Sequence, residues 1–155
     1  MERAIDIPLE RLPAIDEHGA LVLAPVQEVW EALLIVVDRS FSRPRKARIA
    51  RALGCAQTES SGPIGQIGST RPGFIVARVV EPAVLALAGR HRFCRYGLVF
   101  RLEETRDGRT LLRAETRAEF PGLRGRAYRT LVIGSRGHVL VVNRVLRAVR
   151  RRAER

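Results

Sequence analysis

Few residues of the 155-residue chain could do chemistry, and their spacing narrows what that chemistry can be. His138 closes the segment "GSRGH", Gly134 to His138. On a helix, Ser135 lies one turn before it and Tyr128 about three turns before it, on the same face. An inward imidazole titrates near neutrality, and an inward phenol can donate or accept a proton. His138, Tyr128 and Tyr96 are therefore candidate acid/base or ligand-anchoring groups. The plainer possibility is a hydrogen-bonded core histidine beside two helix glycines that allow a kink. His91 and Cys94 have the x-x spacing of metal ligands, but as strand residues they point to opposite faces, and no second Cys/His pair completes a set. Neither a metal nor a cofactor is expected. Gly62, Gly65, Gly68 and Gly73 lack the lysine and hydroxyl ending of a P-loop and the G-x-G-x-x-G spacing, so they read as turns at a strand edge. Asp16, Asp38 and Asp107 read as turn or helix-end residues. No Ser-His-Asp or Cys-His-Asn arrangement emerges.

The charge is lopsided. The formal net charge is +12 and the pI about 11.5. Of 28 basic residues only Lys46 is a lysine. A high-GC genome writes arginine for lysine and much alanine, so this excess is weak support for an anionic partner, although a basic surface does attract anions at long range. In "GRHRFCRYGLVFRLEE", Gly89 to Glu104, the arginines alternate with apolar residues. Glu115 and Glu119 stand among the arginines of a later strand. That pattern predicts a solvated sheet face with cross-strand ion pairs. No RNP-like, zinc-finger or helix-turn-helix signature points to a specific nucleic acid. Two cysteines, Cys55 and Cys94, make no disulfide framework. "MERAIDIPLERLP" has no signal-peptide core, and no apolar run reaches the length of a membrane span. A cytoplasmic, reduced protein without integral membrane association is expected.

These groups must be positioned by the elements around them. Residues 1–13 read as an irregular lead-in. "GALVLAP", Gly19 to Pro25, reads as a strand. "APVQEVWEALLIVV" reads as a helix with Pro25 in its first position and Val26, Val29, Trp30 and Leu33 on one face. "SRPRKARIARALG" reads as a short helix from Pro44, stopped by Gly54. From Phe74 the period is two: "FIVARVVEP", "AVLALAGRHRF", "CRYGLVFRLEE" and "TLLRAETRAEF" read as strands, the last two joined at "RDG". Tyr96, Leu98, Phe100 and Leu102 face one way, and Arg95, Val99, Arg101 and Glu103 the other. Leu112, Ala114, Thr116, Ala118 and Phe120 alternate with Arg113, Glu115, Arg117 and Glu119. The result is an antiparallel meander with one apolar and one wet face. After Pro121–Gly122 one helix is expected over about Arg124–Arg152, roughly 43 Å long. Its stripe is Tyr128, Leu131, Ser135, His138, Val142, Val145 and Val149.

An apolar sheet face must be covered. The order strand, two short helices, meander and long terminal helix predicts an α+β fold in one domain over residues 1–155. A curved sheet and a straight helix leave space between them. The chain resembles, over about Gly19 to Arg152, the START-like, Bet v 1-like superfamily of bacterial polyketide cyclase/lipid-transport domains, or SRPBCC. The resemblance rests on "APVQEVWEALL", similar to that family's entry to its first helix, on "LVFRLEETRDGRTLLRAET" and on the final helix. It implies a helix-grip fold with a deep, mostly apolar cavity for lipids, sterols, polyketides or other hydrophobic molecules. It does not imply one activity.

The function expected is binding or carriage of a small hydrophobic ligand between the sheet and the last helix. The alternative is a polyketide cyclase/aromatase-like enzyme using Tyr96, Tyr128 and His138 in the same cavity. A third possibility is an interaction module working through the basic outer face. The expected lining is Tyr96, Leu98, Phe100, Leu112, Thr116 and Phe120 from the sheet, and Tyr128, Leu131, Ser135, His138 and Val142 from the helix. Trp30 is weighed as a further lining residue against ordinary core packing. The oligomeric state is left open.

Overall fold

Alternating side chains build one six-stranded antiparallel sheet from residues spread along the chain. A computed structural model describes residues 7–155. The strands are β1 (Ala14–Val22), β2 (Thr70–Arg71), β3 (Phe74–Val80), β4 (Val84–Arg90), β5 (Arg95–Glu104) and β6 (Thr110–Glu119). Their order across the sheet is β1-β6-β5-β4-β3-β2. The helices are α1 (Val26–Phe41), α2 (Pro44–Leu53), α3 (Gly122–Ser135) and α4 (Gly137–Ala153). The sheet is curved and open, and the fold is α+β of the helix-grip type.

The inner face carries the main core. Leu98, Phe100 and Leu102 of β5 pair in register with Thr116, Ala114 and Leu112 of β6. Val29, Trp30, Leu33 and Val37 of α1 and Val142, Val145, Leu146 and Val149 of α4 pack into the same cluster. The α4 spacing of three, one and three residues gives a single apolar stripe. Each fully buried large side chain contributes about 1.5–3 kcal/mol. Thr110, also fully buried, donates its hydroxyl to the Ala24 carbonyl at 2.8 Å and so ties the start of β6 to the entry of α1. Pro25 occupies the N-cap of α1, one residue before the expected position, while Pro44 opens α2 and Gly54 ends it in the left-handed region with φ 70°.

Four features differ from the sequence expectation. First, β1 begins at Ala14 rather than Gly19. Asp16 and His18 share the inward face with Ala20 and Val22, and pair with β6 at Thr116 and Ala114. Their polarity hides the period-two pattern. Second, the lead-in is partly structured. Residues 1–6 lie outside the described residues, but Leu9–Arg11 form a 3-10 turn. Third, the outer face is not simply wet. Ile7, Leu9 and Leu12 cover Ile75, Ala86, Ala88 and Val99 in a second apolar cluster. A Cβ on Gly97 would lie 2.3 Å from Leu9 Cδ2, so the glycine gives Leu9 its seat. Beyond that patch the face carries the expected ion pairs, Arg101–Glu115 at 4.0 Å and Arg113–Glu103 at 3.5 Å. Fourth, the long terminal helix is two helices. Arg136, with φ 53°, caps α3 and starts α4.

The glycine-bearing segment before β2 is held structurally. Arg71 is buried; its Nε donates to Asp38 Oδ1 of α1 at 2.7 Å, and its Nη1 donates to the Thr70 carbonyl at 2.5 Å. Asp38 is thus an arginine partner rather than a helix-end residue alone. Among the described residues no helix is long and apolar enough to cross a membrane.

The second cluster is a direct discriminator. Val99→Asp would place a carboxylate beneath Leu9 and Leu12, and should cost about 3 kcal/mol or more in urea unfolding. An outer face that is only solvated would tolerate the substitution.

Candidate functional site

A cavity of about 330 Å³ lies between the inner sheet face and the helices. Phe74, Tyr96, Leu98, Thr116 and Ala118 form its floor, with Ile15 and Phe120 at the sheet margin. Tyr128, Val132 and Ile133 of α3, His138, Val141 and Val142 of α4, and Phe41 and Lys46 from the α1–α2 corner close it. α3 does little else in the fold. Gly125 is its one buried residue, and its backbone fits against Phe93 and Phe120 because there is no Cβ.

Aromatic rings organise one side. Phe74 packs edge-on against both Phe41, at 4.9 Å, and Tyr96, at 5.4 Å. Tyr128 stacks on Phe93 at 5.3 Å and meets His91 edge-on at 4.9 Å. The Tyr96 hydroxyl donates to the Gly73 carbonyl at 2.5 Å. A Cβ on Gly89 would sit 2.2 Å from that carbonyl and 2.5 Å from the Tyr96 ring, so this crossing requires glycine. Burial first, and then the Cys55 thiol, holds the Tyr96 phenol well above its ordinary range. Tyr96 is neutral at physiological pH and its proton is already committed.

His91 and Cys94 are not on a strand. They lie in the turn between β4 and β5 and converge, with Cys94 Sγ 3.5 Å from His91 Nε2. His91 Nδ1 accepts the Phe93 N–H at 3.1 Å, which leaves Nε2–H directed at the sulfur. Burial lowers the His91 pKa and pushes the Cys94 thiol up to about 12. The pair is a neutral imidazole and a neutral thiol. Among the described residues no group of three or more His, Cys, Asp or Glu is arranged to hold a metal ion.

The opposite margin is polar. His138 Nε2 lies 2.6 Å from Asp16 Oδ2, across from the edge strand β1. Asp16 is therefore an inward carboxylate on a strand, not a turn residue. His18 Nε2 approaches the same oxygen at 3.5 Å. Thr116, in register with Asp16, lines the cavity beside them. Asp16 Oδ1, His18 Nε2, Thr116 Oγ1 and His138 Nδ1 are all buried without a hydrogen-bond partner. Such groups are rare in proteins, and their concentration here marks a place where polar chemistry is kept available. In the neutral tautomer that donates Nε2–H to Asp16, Nδ1 of His138 carries the free lone pair.

Of the residues named from sequence, Tyr96, Leu98, Thr116, Phe120, Tyr128, His138 and Val142 come together around this cavity. Trp30, Phe100 and Leu112 do not. They are fully buried in the main core, further along the strands where α1 and α4 close on the sheet. Leu131 is 69% exposed, and Ser135 is exposed as well. The turn at Arg136 breaks the helical phase, so α3 presents Tyr128, Val132 and Ile133 inward instead. Asp16, His18 and Lys46 were missed. A polar pair at i and i+2 leading into Ala20 and Val22 was the available signal for the first two. The lone lysine on the inward side of α2 was the signal for the third.

No protein-family model matches the sequence, and no curated protein matches it. Solved structures do share the fold. A conserved protein from Geobacillus kaustophilus is similar with a TM-score of 0.57 and 16% identity, over 88% of this chain and 93% of that one. BH1534 from Bacillus halodurans is similar with a TM-score of 0.54 and 19% identity, over 90% and 97%. CalU16 from Micromonospora echinospora is similar with a TM-score of 0.50 and 19% identity, over 89% and 82%. At these identities the likeness is one of fold: an α+β, helix-grip protein.

The thiol environment yields a simple check. A pKa of about 12 against an ordinary 9.0 leaves about a thousandfold less thiolate. Iodoacetamide at pH 8 should therefore modify Cys94 far more slowly in the folded protein than in urea. Equal rates in the two states would mean that Cys94 is not packed as described.

Proposed function

We propose that this protein binds a small hydrophobic ligand in the cavity between the sheet and α3–α4, as a START-like, SRPBCC-type domain. The observation that carries this reading is the cavity itself. Its walls are mainly aromatic and aliphatic, and its polar side chains stand at separate points of the margin. That is the usual composition of a small-molecule site, where apolar walls supply affinity and a few polar groups fix orientation. A volume of about 330 Å³ selects a compact ligand.

A second reading, an enzyme acting on a polyketide-like, enolisable substrate, draws support from the Asp16–His138 pair. A histidine held by a carboxylate at a cavity wall is arranged to accept a proton, and such a general base contributes about 10²–10⁴-fold to a rate. Thr116 stands beside it as a hydroxyl donor for a developing enolate.

Both readings make measurable commitments. N-phenyl-1-naphthylamine, a neutral apolar dye, should bind with a fluorescence increase. Val132→Trp, on the lightly packed α3, should fill the cavity and weaken binding by about tenfold or more, near 1.4 kcal/mol, at a nearly unchanged Tm. Unchanged dye affinity in that variant would remove the cavity as the site. For the enzymatic reading, wild-type protein should speed α-proton exchange of 2-tetralone in D2O. His138→Gln and Asp16→Asn should each reduce that acceleration by about 10²-fold. Exchange at the buffer rate with wild-type protein leaves the binding reading alone.

A further inference from the structure

Lys46 is the one lysine among 28 basic residues. Elsewhere the chain uses arginine for every cation, including those that make ion pairs. An arginine side chain has the same reach and charge but does not lose its proton in proteins. A lysine therefore stands out where it meets an apolar cavity, and Lys46 is both half-buried and a lining residue.

The Phe41 ring, whose centroid lies 6.0 Å from Nζ, favours a cation, but the rest of the surroundings disfavour the ammonium form. No described carboxylate is within ion-pair distance of it, and Asp38 of α1 is engaged by Arg71. Arg43, at the N-cap of α2, and Arg45, within it, flank Lys46. Across the adjoining groove, α4 presents Arg144, Arg147 and Arg151. Every charged group facing Lys46 from α2 and α4 is a cation. Burial first, and then repulsion from Arg43 and Arg45, lowers its pKa from the ordinary lysine value. Desolvation combined with neighbouring cations is a recognised way to make a lysine nucleophilic.

We propose that Lys46 is a nucleophilic amine that captures an apolar aldehyde or ketone in the cavity as a Schiff base. The Nζ lone pair forms a bond to the carbonyl carbon, and the carbonyl π pair moves to oxygen, which takes up a proton. The carbinolamine then expels that oxygen as water while nitrogen loses its proton and C=N forms. Amine and carbonyl give imine and water, with no other reactant. The apolar part of the ligand rests on Phe41, Phe74 and Val141, which line the cavity along with Lys46. This inference rests on the cavity being a ligand site.

The test uses 6-methoxy-2-naphthaldehyde with sodium cyanoborohydride at pH 7, followed by intact mass and peptide mapping. The expected result is a reduced adduct at Lys46, formed about tenfold or more faster than on Nα-acetyl-lysine amide under the same conditions because the cavity holds the aldehyde beside the amine. Lys46→Arg should lose the adduct while its Tm stays near that of the wild-type protein. Val132→Trp should slow labelling of Lys46 by a similar factor. Labelling at the rate of the free amine, or labelling insensitive to the filled cavity, overturns the proposal. If the dye binds normally in those cases, the cavity reading survives without it. If the dye does not bind to wild-type protein, both fall together.

Discussion

At Arg136 the backbone enters the left-handed region in a residue that carries a Cβ, a conformation that costs on the order of 1 kcal/mol. Arg136 is the one described non-glycine residue with positive φ. What the turn permits is a division of labour. α4 lies along the sheet and against α1, and its buried stripe of Val142, Val145, Leu146 and Val149 completes the main core. α3 is released from that direction and crosses the open end of the sheet, where almost all of its surface is exposed. A continuous helix would carry one stripe along its whole length. The broken one closes the core with one half and roofs the cavity with the other.

The polar groups follow the same division. Along the sheet, the row through Phe100 and Ala114 is dry because α1 and α4 meet there. The rows through Tyr96 and Thr116 lie where the helices diverge, so side chains there face space rather than each other. Tyr96 has resolved its hydroxyl by reaching the Gly73 carbonyl. Asp16 and His138 have resolved part of theirs with each other, which also pins the edge strand β1 to the start of α4. Four of the described buried atoms without a partner, Asp16 Oδ1, His18 Nε2, Thr116 Oγ1 and His138 Nδ1, belong to that pair or to residues beside it. A carboxylate and an imidazole in one buried place cost desolvation, so the arrangement stabilises the fold less than apolar packing would.

How much of this was legible in the sequence depended on whether local pattern and tertiary position agreed. β3–β6 were legible because alternation is a local property and the inner face obeyed it, whereas the apolar outer residues Ile75, Ala86, Ala88 and Val99 gave no sign that the distant lead-in covers them. α1 and α2 were legible from their prolines and the Gly54 stop. β1 was cut short because Asp16 and His18 break the apolar alternation on the inward face, where Asp16 meets His138 of α4. Phe100 and Leu112 have the same phase as Leu98 and Thr116, and phase alone does not say how far along a strand the core ends and the cavity begins. Gly134 and Gly137 flagged the middle of the terminal helix, but the residue that turns is Arg136 between them. Leu131 and Ser135 then fell outside, since their inward placement assumed an unbroken helix.

The outer cluster bears on the cavity too, through a single strand. Gly97 of β5 is covered on its outer side by Leu9, while its neighbours Tyr96 and Leu98 face the cavity. A side chain at position 97 would push Leu9 away and loosen the segment that shields Val99. A β-strand has no thickness to spare between its two faces, so pressure on one is felt on the other as a change in strand position. The segment at Ile7–Leu12 is therefore more than a cover for apolar surface. By holding β5 from behind, it fixes the height at which Tyr96 and Leu98 stand in the floor of the cavity. The space available to a ligand is set partly by residues that never touch it.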